Sequence, residues 1–337
     1  MPDQDFKSTP WWRTDFGQDE LEAVACAFES ENISQGEITE QLEEGLGALL
    51  DVPQVVVTSS GSAALAMALM ALGISRGDEV IVPNRTWIAT AHAVYLLGAK
   101  VVLADVEETR PIMDVNKVES IITDKTKAII AVHLNGRAAD MTGIREIARR
   151  NNLKVIEDAA QALGSKNEEG YLGTQSSIGC FSLSVTKIIS TGQGGFAVTR
   201  SKEIADRLRA IRTHGVENVT TPGSWGIPGF NFRITDIQSA IGLAQLPTIF
   251  DRIEKIKEIY TAYQDGLENC LGIEPIPVAL EKGEVPIYNE FLCKNRDELV
   301  QVMKQCGIEI RPFYPDLAKA TYFSCDDALL QKSSQYG

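Results

Sequence analysis

From residue 55 onward, short runs rich in β-branched residues alternate with stretches of helical patterning, and no other feature narrows the fold so far. VVVTSS is followed by GSAALAMALMALG, EVIVPN by TWIATAHAVYLLG, and KVVLADV by DVNKVESII; KAIIAVH, MTGIREIARRNN and KVIEDAA come next. Strands recurring at this spacing, with a helix between each pair, lie parallel and are joined by crossover helices, which makes an α/β layered domain. After Asp158 the order changes. SIGCFSLS and GGFAVT read as strands and EIADRLRAIRTH as a helix, and Thr235 to Asn269 read as one long helical stretch that Pro247 bends or interrupts. Beyond it IEPIPV, VPIYNEFLC, RDELVQVMKQCG and IEIRPF read as a small α+β unit. A large domain over residues 1–245 and a small C-terminal one over 246–337 are therefore expected, and 337 residues suffice for both.

Charge and cysteine usage remove several classes of function. Forty-six acidic residues against 32 basic ones give a formal charge of -14, with no block of Lys and Arg, so a nucleic-acid backbone is not the expected partner. An anionic ligand must then be held by a local device. The six cysteines, Cys26, Cys180, Cys270, Cys293, Cys306 and Cys325, show no C-x-x-C pair, and the chain has only 3 histidines. That spacing supports neither a zinc site nor a disulfide framework, and free thiols in a reducing cytoplasm are expected. The N-terminal stretch MPDQDFKSTPWWRTDFGQDE has no apolar core of a signal peptide, and no run approaches the about 18 apolar residues of a membrane span. No membrane partner is expected.

An α/β chain invites a search for nucleotide fingerprints. No G-x-x-x-x-G-K-[ST] occurs, and GQGG at 192–195 is neither that loop nor G-x-G-x-x-G. A different phosphate device stands in VVVTSSGSAALAMAL. A strand ends at Ser59 and Ser60, Gly61 permits close backbone approach, and Ser62 opens an Ala-rich helix, so free N–H groups, helix dipole and hydroxyl converge. Simple capping by Ser60 or Ser62 accounts for the same residues. In KVIEDAAQALG, Asp158 ends an apolar strand at the sheet edge where ligands of parallel sheets bind, although a helix N-cap would look the same. Lys187 follows an apolar, hydroxyl-rich run. It is either a surface lysine or, lining a pocket, an amine whose pKa desolvation lowers into nucleophilic range.

Together these three features match the demands of one cofactor. Pyridoxal 5'-phosphate (PLP) needs its phosphate held, its ring nitrogen kept protonated by a carboxylate, and its aldehyde captured by an amine. Trp87 is a candidate to stack on the ring, its alternative being a core tryptophan.

At this level of detail the chain resembles the DegT/DnrJ/EryC1/StrS sugar aminotransferases, PLP enzymes of fold type I. The resemblance runs through ENISQG, TSSGSAALAMALMALGISRGDEVIVP, TKAIIAVHLNGRAADM, VIEDAAQALGS, FSLSVTKIISTGQGGFAVT, GFNFRITDIQSAIGLAQL and NRDELVQVMKQCGIEIRPF. It implies a large domain with a mostly parallel central sheet flanked by helices, plus a smaller α+β C-terminal domain. By position, Lys187 would form the internal aldimine with PLP, Asp158 would pair with the pyridine nitrogen, Gln161 would contact the ring hydroxyl and Trp87 would stack on the ring. Gly61, Ser62 and Ser182 would bind the phosphate. Asn231 resembles an asparagine that reaches the phosphate of the neighbouring subunit's cofactor, which implies a homodimer with shared sites.

The resemblance also implies glutamate as amino donor and a nucleotide-activated 4-keto-6-deoxy or 3-keto hexose as acceptor, in amino sugar biosynthesis. Arg233, Arg311 and Tyr314 are candidate anchors for that acceptor, or structural residues. A lysine at position 187 favours amino transfer over the dehydration of relatives that carry histidine there. Leu183 and Ser184 depart from the family pattern and are expected to alter the substrate wall. The chain ends at SSQYG, where relatives continue, so either the sequence is cut short or the small domain is incomplete. A cyclitol ketone aminotransferase and a non-catalytic regulatory protein are the alternatives on this scaffold.

Overall fold

The structure is a computed structural model and describes residues 8–31, 33–216, 225–323 and 330–336. Two helices, α1 (Gln18–Glu29) and α2 (Glu37–Leu50), precede the first strand. Then follow β1 (Gln54–Thr58), α3 (Gly61–Ala71), β2 (Glu79–Pro83), α4 (Ala89–Leu96), β3 (Lys100–Ala104), α5 (Val115–Val118), β4 (Thr126–Val132), α6 (Met141–Arg150) and β5 (Lys154–Asp158). A short hairpin, β6 (Lys166–Asn167) and β7 (Gly170–Tyr171), leads to β8 (Ile178–Ser182), β9 (Gly195–Thr199) and α7 (Lys202–Arg212). The large sheet has seven strands in the order β1-β9-β8-β5-β4-β2-β3. The β3–β2, β2–β4, β4–β5 and β5–β8 pairs are parallel, whereas β9 runs against both β8 and β1. The mostly parallel sheet expected from the alternation is therefore present, with one reversed strand near its β1 edge.

Both faces of this sheet are covered, and that is why its strands are apolar throughout. Successive residues point to opposite faces. Val56, Val80, Val82, Ile130, Ile156, Cys180 and Ala197 join one core with Ala64, Met67 and Ala68 of α3, Val94 of α4 and Leu208 of α7. Their strand neighbours Val55, Val57, Phe181, Phe196 and Val198 join a second core with Leu42, Leu46 and Leu50 of α2. The four-residue spacing of those leucines places them on one face of the helix. Each is at most 1% exposed, so each contributes about 1.5–3 kcal/mol of burial.

The stretch from Thr235 divides as expected. Helix α8 (Asp236–Gln245) ends in a 3-10 turn, Leu246–Thr248, that contains Pro247, and α9 (Ile249–Leu267) follows. Beyond it, β10 (Ile273–Pro275) pairs antiparallel with β11 (Phe291–Cys293), and α10 is Arg296–Gln305. Two expected strands differ. In VPIYNEFLC only the last three residues pair, because the side-chain amide of Asn135 takes both backbone groups of Tyr288: Tyr288 N donates to Oδ1 at 2.8 Å, and Nδ2 donates to Tyr288 O at 2.9 Å. IEIRPF forms no sheet strand; Ile308 bridges Thr9 of the N-terminal segment, and Pro312 has no N–H to extend a ladder. Cys26, Cys180, Cys270, Cys293 and Cys306 are free thiols, and Cys325 lies outside the described residues. Among the described residues no helix is long and apolar enough to cross a membrane.

Two glycines set how closely α3 meets the sheet. A Cβ on Gly195 would lie 2.4 Å from the backbone nitrogen of Gly61, and a Cβ on Gly61 would lie 3.0 Å from the Cβ of Ser182. No flexible side chain stands at the first contact to give way. Gly195→Ala is expected to destabilise the fold by about 1–3 kcal/mol through overpacking, read as a lower midpoint in chemical denaturation with an unchanged slope.

Candidate active site

The site residues gather where strands of the sheet end. Asp158 is the last residue of β5 and is 5% exposed. Its Oδ2 accepts from Thr90 Oγ1 at 2.7 Å, and its Oδ1 accepts from Ala160 N at 3.1 Å. The second bond is the two-residue turn that aspartate favours, and no helix follows, so Asp158 is not a helix cap. Burial pushes its carboxyl pKa up; the Thr90 and Ala160 bonds, then the charge of Lys187, oppose the rise.

Glu157, one residue earlier, serves a different set of partners. It is fully buried and accepts from Gly173 N, Gln175 N and His133 Nε2 at 2.8, 2.7 and 2.9 Å. The backbone N–H of Ala139 donates to His133 Nδ1 at 3.2 Å, so Nδ1 is unprotonated and Nε2 carries the hydrogen given to Glu157.

Lys187 lies in the turn after β8, half-buried, with its backbone N–H bonded to Ser184 O at 3.0 Å. Burial lowers its pKa from an ordinary lysine's 10.5 to about 8, against the opposing pull of Asp158. A half-buried amine with a lowered pKa differs from a fully solvated surface lysine. Ser60 is the N-cap of α3 and accepts from Ala63 N at 3.0 Å, which leaves the N–H groups of Gly61 and Ser62 as the unanswered donors of the helix start. Ser62 is exposed there, and Ser182, at the end of β8, is the residue that Gly61 rests on. Capping thus falls to Ser60, and Gly61 and Ser62 are left with open N–H groups.

Gln161 is buried, accepts from Asn135 N at 2.8 Å and donates to the Tyr314 hydroxyl at 3.1 Å. Trp87 is 56% exposed, so it is no core residue; its ring meets Tyr314 edge-on at 5.3 Å. Tyr288 and Tyr314 both have raised pKa values, chiefly from burial, and their hydroxyls stay protonated and able to donate. Tyr288 OH lies 3.2 Å from the hydroxyl of Thr186, the residue before Lys187. Among the described residues no cluster of His, Cys, Asp and Glu suits a metal ion.

Not every expected residue joins this group. Asn231 is exposed and accepts from Arg233 Nε at 2.9 Å, and no bond joins it to Lys187 or Asp158. Its neighbour Phe232 is anchored beside α3, its carbonyl accepting from Ser59 N and Thr58 Oγ1. Arg311 pairs with Glu309 at 3.0 Å and lies over the Trp11 ring at 4.3 Å. Leu183, expected to alter a substrate wall, is fully buried in the second core and cannot line one. Of the glycines after Lys187, Gly195 receives the start of α3, whereas a Cβ on Gly192 would meet nothing within 4 Å. Thr90, Asn135 and Tyr288 were absent from the sequence reading. Asn-Gly at 135–136 signals a turn, and Asn135 indeed has φ 54°, but nothing local signals the partners of these three residues.

The amine leaves a mark on stability. With a folded pKa below the unfolded one, the folded protein binds fewer protons at Lys187 between about pH 8 and 10.5, so stability rises with pH across that window. In cofactor-free protein, chemical denaturation at both ends of the window should show this gain in the parent and a smaller one in Lys187→Met.

Comparison with known proteins agrees with this geometry. GDP-perosamine synthase of Caulobacter vibrioides is 36% identical over 290 residues, 84% of this chain and 78% of that protein. DesV of Streptomyces venezuelae, solved in complex with a ketimine intermediate, superposes with a TM-score of 0.87 at 31% identity, over 94% of this chain and 86% of that one. The PLP form of Spr1654 from Streptococcus pneumoniae has the same fold, with a TM-score of 0.91 at 24% identity over 98% and 91% of the two chains. The model of one family matches residues 14–334. The chain therefore belongs to the DegT/DnrJ/EryC1/StrS aminotransferase family, enzymes that work with PLP on a type I fold.

Proposed function

We propose that the protein transfers an amino group from glutamate to a keto sugar carried on a nucleotide, and that the acceptor is a GDP-linked keto hexose. The observation that carries the reading is the meeting of three groups at one edge of the sheet: the open start of α3 on Ser182, the buried carboxylate of Asp158, and the half-buried amine of Lys187. The residues fit PLP, since the glycine contact at Gly61 and the free N–H groups beside it make an anion cradle, and a buried carboxylate with a raised pKa calls for a cationic partner. Two relatives named GDP-perosamine synthase, at 36% and 37% identity, favour a nucleotide sugar over a cyclitol as acceptor.

PLP, when bound, supplies an aldehyde and an electron-withdrawing ring through which an amino group moves between carbon atoms. The rest falls to this chain. Lys187 Nζ, partly neutral near pH 8, would hold the cofactor aldehyde and, when free, would serve as the base and acid that moves the substrate proton. Asp158, aimed by Thr90 and Ala160, would stay ionised against a protonated ring nitrogen. Gly61, Ser62 and Ser182 would hold the phosphate, Gln161 would meet the ring hydroxyl, and Trp87 would cover the ring. Asn231, exposed in one chain, would serve the cofactor of a second copy in a homodimer, and the enzyme would work in the cytoplasm. The division near residue 246 into a large and a small domain belongs to the same reading.

The test is a panel of keto nucleotide sugars and a keto inositol incubated with glutamate, read by mass spectrometry of the products. A GDP-linked keto hexose should be aminated with matching release of 2-oxoglutarate, and Lys187→Ala should slow transfer by at least roughly 10²–10⁴-fold, the span for loss of a general acid–base group. Amination of the inositol alone would sink the acceptor assignment.

A further inference from the structure

Arg85 is 0% exposed, although Trp87, two residues on, is largely in solvent. A guanidinium can be buried at tolerable cost only where its charge and its N–H groups are answered. The answers here come from the far end of the chain. Nη1 donates to the carbonyl of Tyr314, and Nε and Nη2 both donate to the carbonyl of Ser333, at 3.0 and 2.9 Å. Asp316 Oδ1 lies 2.8 Å from Nε and makes no hydrogen bond. Nε has one hydrogen, already directed at Ser333, so Asp316 balances the buried charge and the two carbonyls take the directional bonds. The Phe313 ring lies 5.6 Å from the guanidinium carbon.

The neighbours of Arg85 hold the same two segments. Asn84 accepts from Leu317 N at 3.0 Å and Ala318 N at 2.9 Å and donates to Ser333 Oγ at 2.6 Å. Asp105 accepts from Lys332 N and Ser333 N at 2.8 and 2.9 Å. The other end of the loop that carries Arg85 faces the site: Thr90 holds Asp158, and Trp87 meets Tyr314, whose hydroxyl bonds Gln161. One short segment thus grips the C-terminal chain at its start and the cofactor carboxylate at its end.

We propose that Arg85 is a positioning residue for the amino acceptor: by gripping the main chain of Tyr314 and Ser333 it fixes the Tyr314 ring between Trp87 and Gln161. It thereby sets the wall that receives the acceptor. The proposal rests on the aminotransferase reading above and names a residue that acts through Tyr314. A lysine would keep the charge against Asp316, but its single ammonium lacks the planar fork that spans two carbonyls.

The experiment compares holoenzymes of the parent, Arg85→Lys and Arg85→Met by amide hydrogen exchange and by separate kinetics of the two half-reactions. Exchange should quicken roughly tenfold in 313–318 and 330–336, the size expected when about 1.4 kcal/mol of directional bonding is lost, while the central sheet is unchanged. The cofactor absorbance band and the glutamate half-reaction should stay within about twofold, and the acceptor KM should rise about tenfold with little change in kcat. In a Tyr314→Ala background, Arg85→Lys should add less than about twofold to the KM, because the route through Tyr314 is already cut. Unchanged exchange and KM would overturn the proposal. So would a joint fall of kcat, cofactor band and sheet protection, which marks a general packing role. A parent enzyme that accepts no keto sugar would count against the acceptor assignment alone, and the exchange comparison would still decide the role of Arg85.

Discussion

Backbone packed directly on backbone is the contact from which the rest of the site follows. The first residue of α3 rests on the ends of β8 and β9 with no side chain between, because Gly61 and Gly195 meet there. That approach places the open N–H groups of a helix beside Ser182, and Lys187 follows in the turn that leaves the same strand. It also explains the one reversed strand. β9 returns antiparallel beside β8, so the Gly-rich turn after Lys187 brings Gly195 back under the start of α3. The lysine is therefore held by a hairpin-like return and not by a crossover.

The electrostatics are divided between two adjacent carboxylates. Glu157 is saturated by two backbone N–H groups and a neutral histidine, and so carries its charge as part of the scaffold. Asp158 has one hydroxyl and one backbone donor, too few to offset its burial, and its pKa is raised. A buried acid left short of donors is reserved for a cation that arrives with a ligand. Lys187, whose charge opposes the rise at Asp158, has itself been pushed toward neutrality by burial, so neither group fully satisfies the other.

Much of this was legible in the chain because burial on both faces writes itself as uninterrupted apolar runs, and because Pro247 marks its own helix break. Asp158 and Lys187 were legible as misfits within such runs. What stayed hidden depends on partners far away in sequence. Thr90 bonds a carboxylate 68 positions on, and Asn135 bonds Tyr288 across 153 positions. Neither is unusual in its own neighbourhood. Trp87 was ambiguous for the opposite reason, since a tryptophan on a half-apolar segment fits a core as well as a cleft, and only the loop geometry turns it outward. IEIRPF carries a strand-like pattern that bridges to Thr9 of the N-terminal segment, which no local rule could supply.

The alternation of Glu157 and Asp158 along β5 has an effect on how the fold may vary. β5 is held in parallel register on both sides, Val132 beside Asp158 and Asp158 beside Cys180. A shift of that strand by one residue would keep two acids at its end yet turn each to the opposite face. A shift that carried Glu157 to the place of Asp158 would take it away from the Gly173 and Gln175 amides and leave those N–H groups without their acceptor. Insertions or deletions in the turn before Lys154 are for this reason the changes most able to leave a folded, soluble chain with its carboxylates misplaced, which makes that turn a poor place for length variation.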